Sequence, residues 1–121
     1  MIVYASRTGN VKYIANNIPV KSIEIEEGMT VSEPYFILTY TDNLGDVPTI
    51  VSEFLATNYQ HCKGVIASGN SNFGHQYFCN SADKISSKYG IPIIKKIELR
   101  GFQKDYDEIK LQYYNLIEGD N

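Results

Sequence analysis

Hydrophobic and polar positions follow two different patterns along the chain, short apolar runs and a helical spacing of apolar residues. Together these patterns predict alternating strands and helices. Short apolar runs rich in β-branched residues are typical of buried strands. Apolar residues that recur three and four positions apart indicate amphipathic helices. The apolar runs predict strands at 2–5, 20–25, 35–40, 64–68 and from 91 onwards. The helical spacing predicts helices from residue 11 towards Pro19, after Pro48, over 76–89 and over 105–117.

The same spacing predicts which side of three helices is buried. A helix in a globular protein turns its apolar stripe towards the core. The inward residues are expected to be Ile50, Val51, Phe54 and Leu55 in the second helix, Phe78, Ala82 and Ile85 in the third, and Ile109, Leu111 or Gln112, and Leu116 in the fourth.

The order of these elements predicts the fold class. Strands and helices alternate, apart from one direct connection between the second and third strands, and this pattern requires parallel strands with helices on both faces. Five short strands in 121 residues predict an α/β fold, the flavodoxin-like doubly wound sheet. Because the chain is shorter than the ~150 residues typical of one domain, residues 1–121 are expected to form a single domain.

Composition and charge exclude several classes of partner. The net charge is −3 and no basic patch is visible, so neither nucleic acid nor a membrane is an expected partner. The apolar runs are too short to span a bilayer, and the apolar start is too short for a signal peptide, so a cytoplasmic protein is expected. Cys62 and Cys79 do not have metal-site spacing, and His61 and His75 have no suitable partners, so no metal ligands are predicted.

Three polar loops follow the first, third and fourth predicted strands, at 6–10, 41–47 and 69–74. Carboxyl ends of parallel strands meet at one edge of the sheet, where ligands bind in this architecture. The first loop enters a helix directly, and the unpaired N–H groups at a helix start suit a phosphate. The second and third loops could hold a flat heterocycle by backbone hydrogen bonds and stacking. Ordinary capping and turn chemistry is the alternative interpretation of each loop taken alone.

At these loops the sequence resembles a known family. Ser-x-Thr-Gly-Asn at 6–10 is similar to the phosphate loop of flavodoxins. Three longer stretches narrow the resemblance to the NrdI family, the flavodoxin-like stimulatory flavoproteins of class Ib ribonucleotide reductase. They are Thr8-Gly9-Asn10-Val11, Thr39-Tyr40-Thr41 with Gly45-x-Val47-Pro48, and Ala67-Ser68-Gly69-Asn70-Ser71-Asn72-Phe73-Gly74. The similarity runs from about residue 2 to residue 110.

The resemblance implies a cofactor, a partner and a role. The family binds FMN, and its reduced flavin reacts with dioxygen to give an oxidant at the superoxide or peroxide level. This oxidant serves the radical-bearing small subunit of class Ib ribonucleotide reductase, where it assembles a dimanganese–tyrosyl radical cofactor. The chain would then be a redox-active activator rather than a stand-alone turnover enzyme, and it would need an unidentified electron donor that reduces the flavin.

The resemblance also implies which residues hold the cofactor. The phosphate would be held by Ser6, Arg7, Thr8, Gly9, Asn10 and Val11. The isoalloxazine ring would lie beside Tyr40, Thr41, Asp42, Asn43, Leu44 and Gly45. Its pyrimidine side would be wrapped by Ser68, Gly69, Asn70, Asn72, Phe73 and Gly74. No catalytic side chain is implied.

The second and third loops depart from the common family pattern. In the second loop, family members often have the sequence Tyr-Thr-Thr-Gly-Phe-Gly, whereas this chain has Tyr40-Thr41-Asp42-Asn43-Leu44-Gly45. They often have Arg where this chain has Ser71. Asn43 should permit a peptide flip beside reduced flavin less readily than glycine does. Two alternatives remain, a general flavodoxin-type electron carrier and a non-redox flavodoxin-like binding domain.

Overall fold

The computed structural model describes residues 1–42 and 44–119, and within them five strands form one parallel sheet. The strands are β1 (Ile2–Tyr4), β2 (Ser22–Glu24), β3 (Tyr35–Thr39), β4 (Cys62–Gly69) and β5 (Ile93–Glu98). The helices are α1 (Asn10–Asn16), α2 (Thr49–Asn58), α3 (Asn80–Tyr89) and α4 (Gln103–Tyr113). The strand order β2-β1-β3-β4-β5 and the parallel pairing confirm the predicted flavodoxin-like doubly wound sheet.

Alternate residues of the central strands enter two separate cores, one on each face of the sheet. Val3, Ile37 and Val65 are in register and point to the face covered by α2 and α3. Their neighbours along the strands point to the face covered by α1 and α4. These neighbours include Ile2, Phe36, Leu38 and Ile66, which pack with Val11, Ile14, Tyr106 and Ile109. Burial on both faces explains why β3 and β4 are almost continuously apolar.

The connection from β2 to β3 has no helix, and a side chain of α2 holds it in place. The buried Asn58 accepts a hydrogen bond from the Val31 backbone N–H at 2.7 Å and donates to the Met29 carbonyl at 3.0 Å. These bonds satisfy backbone groups that would otherwise be buried without a partner. The direct strand-to-strand connection predicted from the sequence is therefore confirmed.

Two predicted helix features are wrong. The helix expected over 76–89 begins only at Asn80, because Cys79 has a left-handed φ of 51°, which an α-helix cannot accommodate. Two short 3-10 turns, Ser71–Phe73 and His75–Tyr77, occupy the preceding stretch. Ile50 and Leu111, both expected to face inward, are 37% and 60% exposed.

The core contribution of α4 agrees with the sequence prediction only in part. Ile109 is buried as expected, and the other buried residues of the helix are Asp105, Tyr106 and Tyr113. Leu116 is only partly buried, in the π-turn Tyr114–Glu118 that follows. Spacing alone could not identify the tyrosines, whose apolar rings are buried although they carry hydroxyl groups. Among the described residues, none of the helices is long and apolar enough to cross a membrane.

Candidate functional site

The loops that follow β1, β3, β4 and β5 surround one cleft at the carboxyl edge of the sheet. Its volume is about 490 Å³, within the ~300–1,000 Å³ typical of small-molecule sites. Most of the residues predicted from the sequence line it. They are Arg7, Thr8, Asn10, Val11, Tyr40, Thr41, Leu44, Ser68, Gly69 and Asn70.

The other predicted residues lie in the same loops, but the described ones do not line the cleft. Ser6 and Gly9 belong to the first loop, and Asp42 and Gly45 belong to the hairpin-like turn of the second loop. Asn72 and Gly74 lie in the 3-10 turn region of the third loop. Asn43 and the side chain of Phe73 lie outside the described part of the structure.

The first loop, defined here as residues 6–11, has an open backbone. Gly9 is left-handed with a φ of 94°, and a Cβ placed on it would meet no atom within 4 Å. Ser6 Oγ accepts a hydrogen bond from the Lys12 N–H at 3.3 Å. No described residue accepts a hydrogen bond from the backbone N–H groups of residues 8–11. The loop thus offers successive free donors beside an unfilled space, which suits an anion.

Arg7 joins the first loop to the second. Its guanidinium forms an ion pair with Asp42, and its Cζ lies 4.9 Å from the centre of the Tyr40 ring. The positive charge of Arg7 is therefore largely balanced by a carboxylate of the neighbouring loop. Tyr40 in turn forms one wall of the cleft.

The second loop, residues 40–47, is tightly bonded to itself and to α3. Asp42 and Asp46 exchange backbone hydrogen bonds of 2.9 and 2.7 Å. Gly45 has a φ of 105°, and a Cβ there would lie 2.8 Å from Asn80 Cβ. Thr41 Oγ1 donates to the Ser68 carbonyl at 3.1 Å and lies 2.8 Å from Ser81 Oγ. These contacts hold the described residues of the loop against β4 and α3, and Tyr40, Thr41 and Leu44 line the cleft.

The segment 68–79, which contains the third loop, is held by side chains near its start. Asn70 Oδ1 accepts from the Asn72 N–H at 2.9 Å, and the Glu98 carboxylate accepts from the Ser71 N–H at 3.0 Å. A Cβ on Gly69 would lie 3.0 Å from Cys79 Sγ and 3.2 Å from its backbone nitrogen. Glycine at position 69 therefore allows Cys79 to pack closely against it, and Gly69 also lines the cleft.

Cys79 is a site residue that the sequence analysis missed. From its spacing, only a metal-ligand role was excluded for it; Cys79 is buried and also lines the cleft. Its Sγ lies 3.4 Å from the Ala67 carbonyl oxygen. Burial raises the pKa of the Cys79 thiol to about 12, so it stays a neutral S–H group at physiological pH. No motif around this cysteine indicates that position.

A fourth loop was also missed, although the sheet-edge rule could have found it. Leu99, with a left-handed φ of 54°, follows β5 and lines the cleft together with Tyr77. Its N–H donates to the Gly69 carbonyl at 2.8 Å, and its own carbonyl accepts from Ser68 Oγ at 2.5 Å. The loop follows a parallel strand, so it necessarily reaches the same edge as the other three.

The chemistry of the lining suits a flat ligand with an anionic end. Tyr40, Leu44 and Leu99 offer apolar surface, while the first loop offers backbone and hydroxyl donors. Within residues 1–42 and 44–119, no group of three or more His, Cys, Asp or Glu residues is close enough to hold a metal ion. The lining thus combines donors that suit an anion with apolar side chains that suit a planar group.

Comparisons with known proteins give the family of the chain and a solved structure with the same fold. The family model described as NrdI flavodoxin-like matches residues 2–111. A curated relative, the protein NrdI of Macrococcus caseolyticus (strain JCSC5402), is 35% identical over 119 residues, which is 98% of this chain and 92% of the relative. A short-chain flavodoxin associated with a non-canonical PDU bacterial microcompartment superposes with a TM-score of 0.71. It is 24% identical, and the match covers 99% of this chain and 97% of the flavodoxin. The chain belongs to the NrdI flavodoxin-like family.

Proposed function

We propose that this chain is an FMN-binding redox protein that supplies an oxidant to the radical-bearing small subunit of class Ib ribonucleotide reductase. The oxidant would assemble the dimanganese–tyrosyl radical cofactor of that subunit. Membership of the NrdI family supports the role. The observation that carries the proposal is the cleft in which the first three loops meet, which has both N–H donors without a described acceptor and apolar side chains in its walls.

The first loop is proposed to hold the phosphate of FMN. Its backbone N–H groups at 8–11 have no described acceptor, and the hydroxyl of Thr8 lies at the cleft. Gly9 keeps space free, because any side chain there would project into it. Successive N–H groups and hydroxyls bind phosphate oxygens well because each donates to a charged acceptor.

The walls are proposed to hold the isoalloxazine ring. Tyr40 to Gly45 would lie beside the ring, with the Tyr40 side chain and Leu44 as apolar surfaces. Ser68 to Gly74 would wrap the pyrimidine side, whose polar edge needs backbone partners. The hydrogen bonds from Thr41 to Ser68 and from Ser68 to Leu99 fix both walls before a ligand arrives. A preorganised cleft binds with less loss of conformational entropy.

FMN supplies the chemistry, and the protein controls access and charge. When bound and reduced by a separate electron donor, the flavin would supply the redox chemistry, which is the reduction of dioxygen to an oxidant at the superoxide or peroxide level. The chain's own residues orient the ring, exclude water from its buried side and set the charge nearby. The manganese ions would belong to the partner subunit.

The proposal is tested by radical formation in the partner. The chemically reduced, FMN-loaded protein is mixed with the Mn(II)-loaded small subunit of the class Ib enzyme and then exposed to air. The expected result is a tyrosyl radical signal in electron paramagnetic resonance. FMN-free protein and a general flavodoxin at equal concentration are the controls.

Two outcomes would contradict the proposal in different ways. A protein that does not quench FMN fluorescence on titration is not a flavoprotein, and the non-redox binding domain would then be the better hypothesis. A protein that binds FMN but generates no more radical than the flavodoxin control is a general electron carrier.

A further inference from the structure

Arg100, in the turn between β5 and α4, is fixed against the start of α1. Its Nε donates to Asn10 Oδ1 at 3.2 Å, and its Cζ lies 4.7 Å from the centre of the Tyr13 ring. Its backbone carbonyl accepts a hydrogen bond from the Tyr106 hydroxyl at 2.5 Å. An exposed arginine normally samples many rotamers, and these contacts restrict it to one region.

The charge of Arg100 is not balanced by a carboxylate. Among the described residues, no Asp or Glu lies within ion-pair distance of its guanidinium, whereas Arg7 is paired with Asp42. The nearest polar partner is the neutral side chain of Asn10, which lines the cleft. Arg100 therefore adds a positive charge beside Asn10 at the first loop, where the N–H groups of residues 8–11 have no acceptor among the described residues.

The contact with Arg100 also sets the direction of the Asn10 amide. Because the amide oxygen accepts from the guanidinium, the Nδ2 group of Asn10 is the part left to donate. A donor in that position suits an anion and does not suit a neutral hydroxyl acceptor equally well, since hydrogen bonds to charged groups are stronger.

We infer that Arg100 is a specificity-determining residue that makes the cleft select a flavin carrying a phosphate monoester over one without it. This inference rests on the proposed function, because it assumes that the first loop receives the phosphate of FMN. Arg100 acts through its long-range positive charge and through Asn10, which it holds with the amide N–H₂ group free. A site with Arg100 removed should still accept the isoalloxazine ring but should discriminate less between FMN and riboflavin.

The test compares the affinities of FMN and riboflavin for the FMN-free protein by flavin fluorescence. Arg100→Gln should weaken FMN binding about tenfold and change riboflavin binding less than about twofold. Arg100→Lys keeps the charge and should recover part of the loss. Lys110→Gln, which removes one positive charge from the last turn of α4, should change neither affinity.

Two further measurements separate a role at the phosphate from a role in folding. Added salt should weaken FMN binding more in the wild type than in Arg100→Gln, because the charge that is screened is present only in the wild type. Millimolar inorganic phosphate should compete with FMN in the wild type and much less in the variant. Competition that is equal in both proteins would overturn the inference.

The remaining outcomes are also decisive. Equal loss of FMN and riboflavin in Arg100→Gln would show that Arg100 only supports the start of α1 through Tyr13, and an unchanged FMN affinity would show no role at all. Both results leave the proposed function standing. A wild-type protein that binds neither flavin would overturn the proposed function and this inference together.

Discussion

The first and second loops lie at the same edge of the sheet, and each contains a left-handed glycine. The two glycines differ in what surrounds the position of a Cβ atom. Gly9 has a φ of 94° and open space where a Cβ would be. Gly45 has a φ of 105°, and a Cβ there would lie 2.8 Å from Asn80 Cβ. The backbone of the first loop has free N–H groups, while the second loop is bonded to itself across Asp42 and Asp46.

This difference predicts that substitution of Gly9 affects mainly ligand binding, whereas substitution of Gly45 affects mainly the stability of the fold. Glycine at position 45 allows α3 to approach the second loop closely, so its removal should harm the protein without any ligand present. Glycine at position 9 leaves a space empty beside free donors, so its removal should harm mainly whatever fills that space.

The largest expected effect comes from adding a methyl group at each glycine. Gly45→Ala combines left-handed strain with a collision and should lower the free energy of unfolding of the FMN-free protein by about 2–4 kcal/mol. Gly9→Ala carries only the strain and should cost about 1–2 kcal/mol. Urea unfolding monitored by circular dichroism measures both. Equal losses would mean that the two loops do not differ as described.

The hydroxyl of Thr8 offers the next test, now on the ligand side of the comparison. A hydrogen bond to a charged group is worth ~1.5–3 kcal/mol, so Thr8→Ala should weaken FMN binding about tenfold or more. Thr57→Ala is the matched control, since its hydroxyl contacts the Phe54 carbonyl and Asn58 Nδ2 on α2, and Thr57 does not line the cleft. If both variants bind FMN like the wild type, Thr8 does not contact the ligand.

The two loops also explain which parts of the site the sequence could predict. The first loop follows a clear strand and precedes a clear helix, so the chain order alone places Thr8 and Asn10 at the sheet edge. Tyr40 and Ser68 were predictable for the same reason, because each directly follows or ends a buried strand. Parallel topology converts position along the chain into position in space.

Residues held by tertiary contacts were not predictable in this way. Cys79 lines the cleft only because its left-handed backbone ends the turn before α3, a conformation that nothing in Phe78-Cys79-Asn80 requires. The resemblance implied Gly69 only as a residue beside the flavin, and the close approach of Cys79 to it could not be predicted from the sequence. Arg100 gains its position from Tyr13 and Asn10, which are distant in sequence.

The buried thiols give a smaller effect that depends on pH. Burial raises the pKa of Cys62 to about 11 and that of Cys79 to about 12. A pKa raised on folding means that stability is complete below the unfolded value of ~8.5 and falls as the pH rises towards the folded value. Each thiol should therefore remove about 1.4 kcal/mol from the free energy of unfolding by about pH 9.5.

Single variants assign this loss to each cysteine. Cys79→Ala should unfold more easily at every pH because a cavity is left, but its stability should fall less steeply between about pH 8 and about pH 9.5. Cys62→Ala should reduce the slope by a similar amount. Urea unfolding at several pH values provides the slopes, and a variant with the wild-type slope would show that its thiol does not titrate in this window.

The smallest effect concerns the ion pair that joins the two loops. Asp42 pairs with Arg7, which in turn lies over the Tyr40 ring. Asp42→Asn removes a negative charge from the wall proposed to lie beside the flavin and leaves Arg7 without its partner. Both changes favour negative charge on reduced flavin, so the midpoint potential of bound FMN should rise. Partial exposure screens the carboxylate, and the shift should be a few tens of millivolts.

A second variant changes the charge next to the same loop in the opposite sense. Lys84→Gln removes a positively charged partner of Asp46 and should shift the potential slightly in the opposite direction. Spectroelectrochemical titration under anaerobic conditions measures both potentials. Among the described residues, the side chain of Asp42 contacts the first loop only through Arg7. An unchanged potential in Asp42→Asn would therefore place the flavin ring away from the second loop, and it would leave the phosphate assignment of the first loop intact.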